Sequence, residues 1–177
     1  FKMKAGSIGD PDFYLGGKLR NTQLANGVWA WSISPSKYVQ EAVKNVEEYI
    51  KKTFNGRTLL QRAPTPFEND YAPELDTTPV LDPAKANFYQ SQIGVLRWMV
   101  ELCRYDIITE TSLLASQTAM PRDGHLDAML RMFAHLKVKH NSRMVFDPTY
   151  PSIDMSDFKQ CDWRNFYGNV KEAIPPD

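Results

Sequence analysis

The sequence predicts an α+β fold: an N-terminal antiparallel β-hairpin, then a mainly α-helical bundle of about four helices, closed by a short C-terminal strand and an irregular tail. Three observations carry that prediction. Aromatic and β-branched residues gather on either side of an Asn26-Gly27 turn signal. Apolar residues then recur at helical spacing in four separate segments. Between the first two of these, and again after Asp147, the chain shows neither helical nor strand periodicity.

Residues 1–11 read as a short strand followed by a loop punctuated by Gly6, Gly9 and Pro11. Phe13-Tyr14-Leu15 opens a strand that Gly16-Gly17 interrupts and that continues to Leu19. Its antiparallel partner is Val28-Trp29-Ala30-Trp31-Ser32-Ile33, reached through a loop, Arg20 to Gly27, longer than a tight hairpin. Ser34-Pro35 starts a helix over Lys37–Phe54, in the manner of an N-cap with proline in the first turn. Val39, Ala42, Val43, Val46, Tyr49, Ile50 and Phe54 form its apolar stripe. Lys37–Glu41, Lys44–Glu48 and Glu47–Lys51 are spaced for ion pairs on its other face, each worth about 0.2–0.5 kcal/mol. Asn55-Gly56 ends it.

The connector 58–83 holds prolines at 64, 66, 73, 79 and 83, and residues 58–82 carry one basic residue against five acidic ones. It reads as irregular chain wrapping the surface and not as a packed layer. Asp82-Pro83 then caps a helix with Tyr89, Ile93, Leu96 and Val100 on one face. Asp106 can cap a second, with Thr109 and Glu110 in its opening turn. Met120-Pro121 ends that helix, and Asp123-Gly124 leads into another bearing Leu126, Met129, Phe133 and Leu136. Arg143–Phe146 is a candidate strand stopped by Asp147-Pro148. The tail, with Trp163, Phe166 and Tyr167, is expected to be loops with one strand near Val170. The domain reading is a hairpin over 1–34, a helical bundle over 35–143 and a connection segment over 144–177.

Lys and Arg balance Asp and Glu, so the formal net charge is zero and the whole chain has no polyelectrolyte drive toward nucleic acid. The helical parts are mildly basic, and the connector and tail are acidic. Cys103 and Cys161 are too few and too far apart for a disulfide framework, and a reduced intracellular protein is expected. No apolar run approaches membrane-spanning length, and no apolar leader segment opens the chain. Both ends read as cut from something longer.

The order of motifs resembles a known family. Tyr89-x-Ser91-x-x-Gly94-x-Leu96, then Arg104-Tyr105-Asp106-Ile107, then Pro121 with His125 and Arg131, is similar to copia-type LTR-retrotransposon Pol polyproteins. The matching segment lies there between the reverse transcriptase palm and RNase H, in the thumb and connection region. Tyr105 stands where that family has proline, and Lys137-Val138-Lys139 where it has Lys-Gly-Thr, as in a divergent lineage. Phe13–Leu19 resembles the aromatic-Leu-Gly hairpin that leaves the polymerase active site and grips the primer. The likeness spans about residues 1–50 and 84–146.

What the resemblance implies is a non-catalytic, template–primer-clamping part of an RNA-directed DNA polymerase. The hairpin residues Tyr14, Leu15, Gly16, Gly17 and Lys18 would approach the primer, the glycines letting backbone come close to a sugar-phosphate. Lys37, Gln40, Lys44, Lys51 and Arg131 would meet phosphates and sugars by shape and charge, without reading sequence. The competing reading of the glycines is a kinked edge strand, and of the lysines an ordinary solvated face with its own ion pairs. Tyr89, Gly94, Arg104, Asp106, Pro121 and His125 are structural motif residues: Arg104 and Asp106 a pair at a helix junction, His125 for packing or capping. The implied partners are an RNA–DNA or DNA duplex and the palm and RNase H of the same polyprotein, with no membrane. The implied setting is a cytoplasmic virus-like particle or the nucleus, in a transposable element that ends in DNA integration.

No catalytic constellation accompanies these features. The parent polymerase would need carboxylates for Mg²⁺, and no adjacent Asp-Asp occurs. Asp154, Asp157 and Asp162 form only a loose acidic group. His125, His135 and His140 lack zinc-ligand spacing, and P-loop, GxGxxG and nucleophile motifs are absent. No catalytic residue, metal site or cofactor is expected in this chain. The alternative from a different class is a stand-alone helical protein-interaction domain.

Overall fold

The computed structural model describes residues 9–149. A mixed α+β architecture is present: a hairpin-based sheet, four α-helices and a short last strand. The strands are β1 (Phe13–Tyr14), β2 (Gly17–Gln23), β3 (Trp29–Ser34) and β4 (Met144–Phe146). The helices are α1 (Ser36–Thr53), α2 (Pro83–Glu101), α3 (Ile108–Ala115) and α4 (Asp123–Val138). Single 3₁₀ turns occupy Pro73–Leu75 and Tyr105–Ile107. The described residues up to Asp147 belong to one compact unit; a second, 148–177, lies almost wholly outside the described residues, as do the strands expected near the N-terminus and near Val170.

All four strands form one antiparallel sheet in the order β1-β2-β3-β4. Gly16-Gly17 does not interrupt a strand, as the sequence suggested. Tyr14 pairs with Gly17, and Leu15 (φ 49°) with Gly16 (φ 94°) makes a two-residue reversal. Two left-handed residues in succession match the right-handed twist of the flanking strands, and Gly16 takes that geometry without a Cβ clash. The expected loop from Arg20 is also corrected. β2 runs on to Gln23 opposite Trp29, and the true turn is Leu24–Val28, closed by Leu24 N–H to the Val28 carbonyl at 2.8 Å. Asn21 has little strand preference of its own and Thr22 alone is a short signal; pairing with the aromatic strand β3 supplies the rest.

α1 buries Val39, Ala42, Val43, Val46 and Ile50 along the expected stripe. Its start differs: Ser34 donates to the Ser142 carbonyl (2.9 Å), so no side chain caps it. Of the expected surface pairs Lys44–Glu48 forms at 3.7 Å, whereas Glu47 reaches Lys137 on α4 at 2.6 Å. Asp82 does cap α2, accepting from the Lys85 N–H at 2.9 Å. Asp106 does not cap α3. Its carboxylate takes both arms of the fully buried Arg104 guanidinium, at 2.8 and 2.7 Å. The N-cap position of α3 falls instead on Ile107, which has no side-chain cap to offer. Tyr89, also fully buried, donates to the Leu114 carbonyl at 2.7 Å and ties α2 to the end of α3.

The core centres on α4, which is apolar nearly all the way round, burying Leu126, Met129, Leu130, Met132, Phe133 and Leu136 among others. A helix with so wide an apolar surface needs cover on every side. α1, α2 and α3 supply only part of it. The connector supplies the rest, so it is a packed layer and not a surface wrap: Leu59, Ala63, Pro73 and Leu81 are buried, and Phe67 and Tyr71 pack on the core. α4 satisfies the carbonyls buried in this way. His125 Nε2 lies 2.9 Å from the Pro73 carbonyl, while its Nδ1 accepts from the Arg122 N–H at 3.0 Å. His135 Nδ1 lies 3.1 Å from the Ala63 carbonyl. Pro121 accepts from the Leu81 N–H (2.9 Å) in the short bridge between Val80 and Arg122.

Candidate nucleic-acid interface

Strand alternation places Lys18, Arg20 and Thr22 on one face of β2, directly opposite Ser34, Ser32 and Ala30. β3 runs from Ser32 and Ser34 straight into α1, whose first turn carries Ser36 and Lys37. β4 returns the chain to the far side of β3, and Arg143 immediately precedes it. These three connections enclose a basin of about 680 Å³. Its described lining includes four cations, Lys18, Arg20, Lys37 and Arg143, and no carboxylate.

The wall between the cations is polar. Ser32 Oγ donates to the Arg20 carbonyl (3.1 Å) and stands 3.2 Å from Thr22 Oγ1. Ser36 Oγ lies 2.9 Å from His140 Nδ1, and the Gln40 amide nitrogen 3.2 Å from the same atom. Gln40 and Asn141 complete the rim on the helix side. On the hairpin side the Lys18 ammonium sits 5.6 Å from the centre of the Phe13 ring, a cation–π contact that holds the lysine over the sheet.

Of the residues singled out in the sequence, Gly16, Lys18, Lys37 and Gln40 meet in this basin. Tyr14 and Leu15 stand at the hairpin tip beside it, each about 60% exposed. The two glycines part company. Gly16 faces open space, whereas a Cβ on Gly17 would meet Ile33 at 2.7 Å, so that glycine serves the packing of β2 on β3. Lys44 and Lys51 continue the face of α1 that Lys37 and Gln40 begin, beyond the basin. Arg131 is not part of it. It lines a separate recess of about 330 Å³ with Arg57, Tyr71 and Asp127, and pairs with Glu68 at 3.0 Å. Its side chain is largely buried, which removes it from the set of residues open to a backbone phosphate.

Arg20 and Arg143 were not found by sequence reasoning. The Lys18-x-Arg20 spacing was a usable signal, because two residues apart on a strand share a face. Arg143 offered none, since only the β3–β4 pairing brings it there. Among the described residues no group of three or more His, Cys, Asp or Glu is placed to hold a metal ion, and no helix is long and apolar enough to cross a membrane. No protein-family model, curated protein or solved structure matches the chain.

Proposed function

We propose that this chain is a template–primer-clamping segment of a copia-type reverse transcriptase, gripping the duplex backbone without taking part in the chemistry. The observation that carries the reading is the gathering of four cations, with no described carboxylate, into one basin of a chain whose net charge is zero. Charge balanced overall but separated in space creates a local field that a phosphate backbone feels and most of the surface does not share. Lys18, Arg20, Lys37 and Arg143 are point and fork donors for phosphate oxygens, and Asn141 and Gln40 can reach sugars or phosphates beside them. Gly16, unobstructed at the reversal, lets a strand approach the hairpin backbone. The palm and RNase H of the same polyprotein would supply the carboxylates and the Mg²⁺ chemistry that this segment lacks.

The test is a fluorescence-anisotropy titration of the 177-residue chain against a labelled RNA–DNA hybrid over a range of salt. With four phosphates neutralised, log K falls against log salt with a slope of about −3.6. The double variant R20Q/R143Q removes two contacts and flattens that slope by about 1.8. Absence of binding at low salt, or an unchanged slope in the variant, would overturn the proposal.

One observation favours the second reading, a helical protein-interaction domain. The outer face of α3 leaves Ile108 and Leu113 each more than 40% exposed around a shallow recess with Thr109, Ser112 and Ser116. Such a domain shows weak, salt-insensitive association with the hybrid.

A further inference from the structure

His140 is joined to the basic basin through Ser36 and Gln40, which are both lining residues and hydrogen-bond partners of the imidazole. Nδ1 lies 2.9 Å from Ser36 Oγ and 3.2 Å from the Gln40 amide nitrogen. The same amide nitrogen lies 3.5 Å from Nε2, and because an amide N–H can only donate, the closer Nδ1 is its acceptor. The charged groups nearest the joint along the chain are Lys37, Glu41, Lys44, Glu47 and Glu48 on α1 and Lys137, Lys139 and Arg143 beside His140, with Lys18 and Arg20 in the basin lining. Glu47 is paired with Lys137 at 2.6 Å and Glu48 with Lys44 at 3.7 Å.

We propose that His140 couples the basin to pH: the imidazole takes up a proton when a polyanion binds, and becomes a fifth cation of the grip. The inference rests on the reading of the basin as a phosphate-backbone site. Protonation at Nδ1 turns that atom from acceptor to donor. Ser36 Oγ can keep its bond with the sense reversed, because a hydroxyl serves either way, but the Gln40 amide N–H loses its acceptor. Gln40 is then released to donate into the basin, and the imidazolium gains the counter-charge of the bound phosphates. Binding and protonation therefore favour each other. By linkage, affinity rises as pH falls through the range in which histidine changes charge.

The measurement is the salt dependence of hybrid binding by the full chain, taken at about pH 8 and again at about pH 6, on either side of that range. One more neutralised phosphate makes the slope of log K against log salt steeper by about 0.9 at the lower pH. In H140Q, which keeps an amide in place of the ring but cannot titrate, the two slopes coincide and the value is that of the parent at high pH. Salt-dependent binding with the same slope at both pH values in the parent chain would overturn the coupling and leave the basin reading intact. A pH-dependent slope that survives in H140Q would overturn it too, by assigning the proton elsewhere. No binding at low salt at either pH would overturn both.

Discussion

Two glycines on helices show how differently the same residue type is used, and they predict opposite signs. Gly124, in the first turn of α4, faces the carboxylate of Asp76, and any Cβ there would press into it. Asp76 cannot simply swing away. It accepts from the backbone N–H and hydroxyl of Thr78 and from the Tyr71 hydroxyl (3.1 Å), so moving it breaks bonds in the connector. Gly94, in the middle of α2, meets nothing within 4 Å. Gly124→Ala is expected to cost about 1–3 kcal/mol through overpacking. Gly94→Ala is expected to gain up to about 1 kcal/mol, because alanine loses less backbone freedom in a helix. Urea denaturation of both variants checks the pair, and a Gly124→Ala protein as stable as the parent would contradict the placement of Asp76.

The joint between the connector and α4 carries a pH dependence at the scale of the element. Burial alone would raise the Asp76 carboxyl, but the hydrogen bonds from the Thr78 hydroxyl and amide and from the Tyr71 hydroxyl outweigh it and hold it below the ordinary carboxylate value. Burial likewise opposes ionisation of Asp106, and the hydrogen bonds and charge of Arg104 prevail and lower it. Tyr71 moves the other way: burial, then the Asp76 hydrogen bond and charge, push its hydroxyl up, so it stays a donor at any working pH. Unfolded carboxylates take up protons near about pH 4, and these two, when folded, only at lower pH. Their contribution is therefore fully present above about pH 4 and is lost as pH falls through the lower folded values. Asp76→Asn is expected to be less stable at neutral pH and to lose less stability than the parent between about pH 5 and pH 2. Parallel stability curves for the two proteins would show that the connector does not hold α4 through this carboxylate.

At the scale of the whole molecule, the helical core and the sheet do different work. The core cluster is built from the four helices and the connector, and no sheet residue belongs to it. Ser34 to Ser142 and Ser36 and Gln40 to His140 are polar ties between the sheet end of α1 and the chain beyond α4. A stacked Tyr49–Phe88 pair, with rings 4.2 Å apart, and Phe54 edge-on to both join the far end of α1 to α2. Such a body can present a cationic basin on a rigid frame, and the sequence has no adjacent Asp-Asp of the kind that holds metal ions for phosphoryl transfer by a polymerase. The isolated chain is expected to incorporate no nucleotide on a primed template with Mg²⁺, at any concentration that binds the hybrid. Robust incorporation would sink the clamp reading.

The α+β class, the helix α1 with its apolar stripe, the Asp82 cap and the Arg104–Asp106 pair were all legible in the sequence, because each depends on residues close together in the chain. Local spacing is enough to place an apolar face on a helix or a cap at its start. Three matters were decided only by tertiary structure. The two-residue reversal at Leu15-Gly16 and the extension of β2 to Gln23 depend on which strand lies alongside. The connector became a packed layer because α4, distant in sequence, left apolar surface uncovered and offered His125 and His135 to its carbonyls. The basin needed β4 to return beside β3, which brought Arg143 to Lys18, Arg20 and Lys37 and left Arg131 in another recess. Sequence periodicity reports which face of an element is apolar; which charges from separate elements converge is a property of their packing, and no local pattern encodes it.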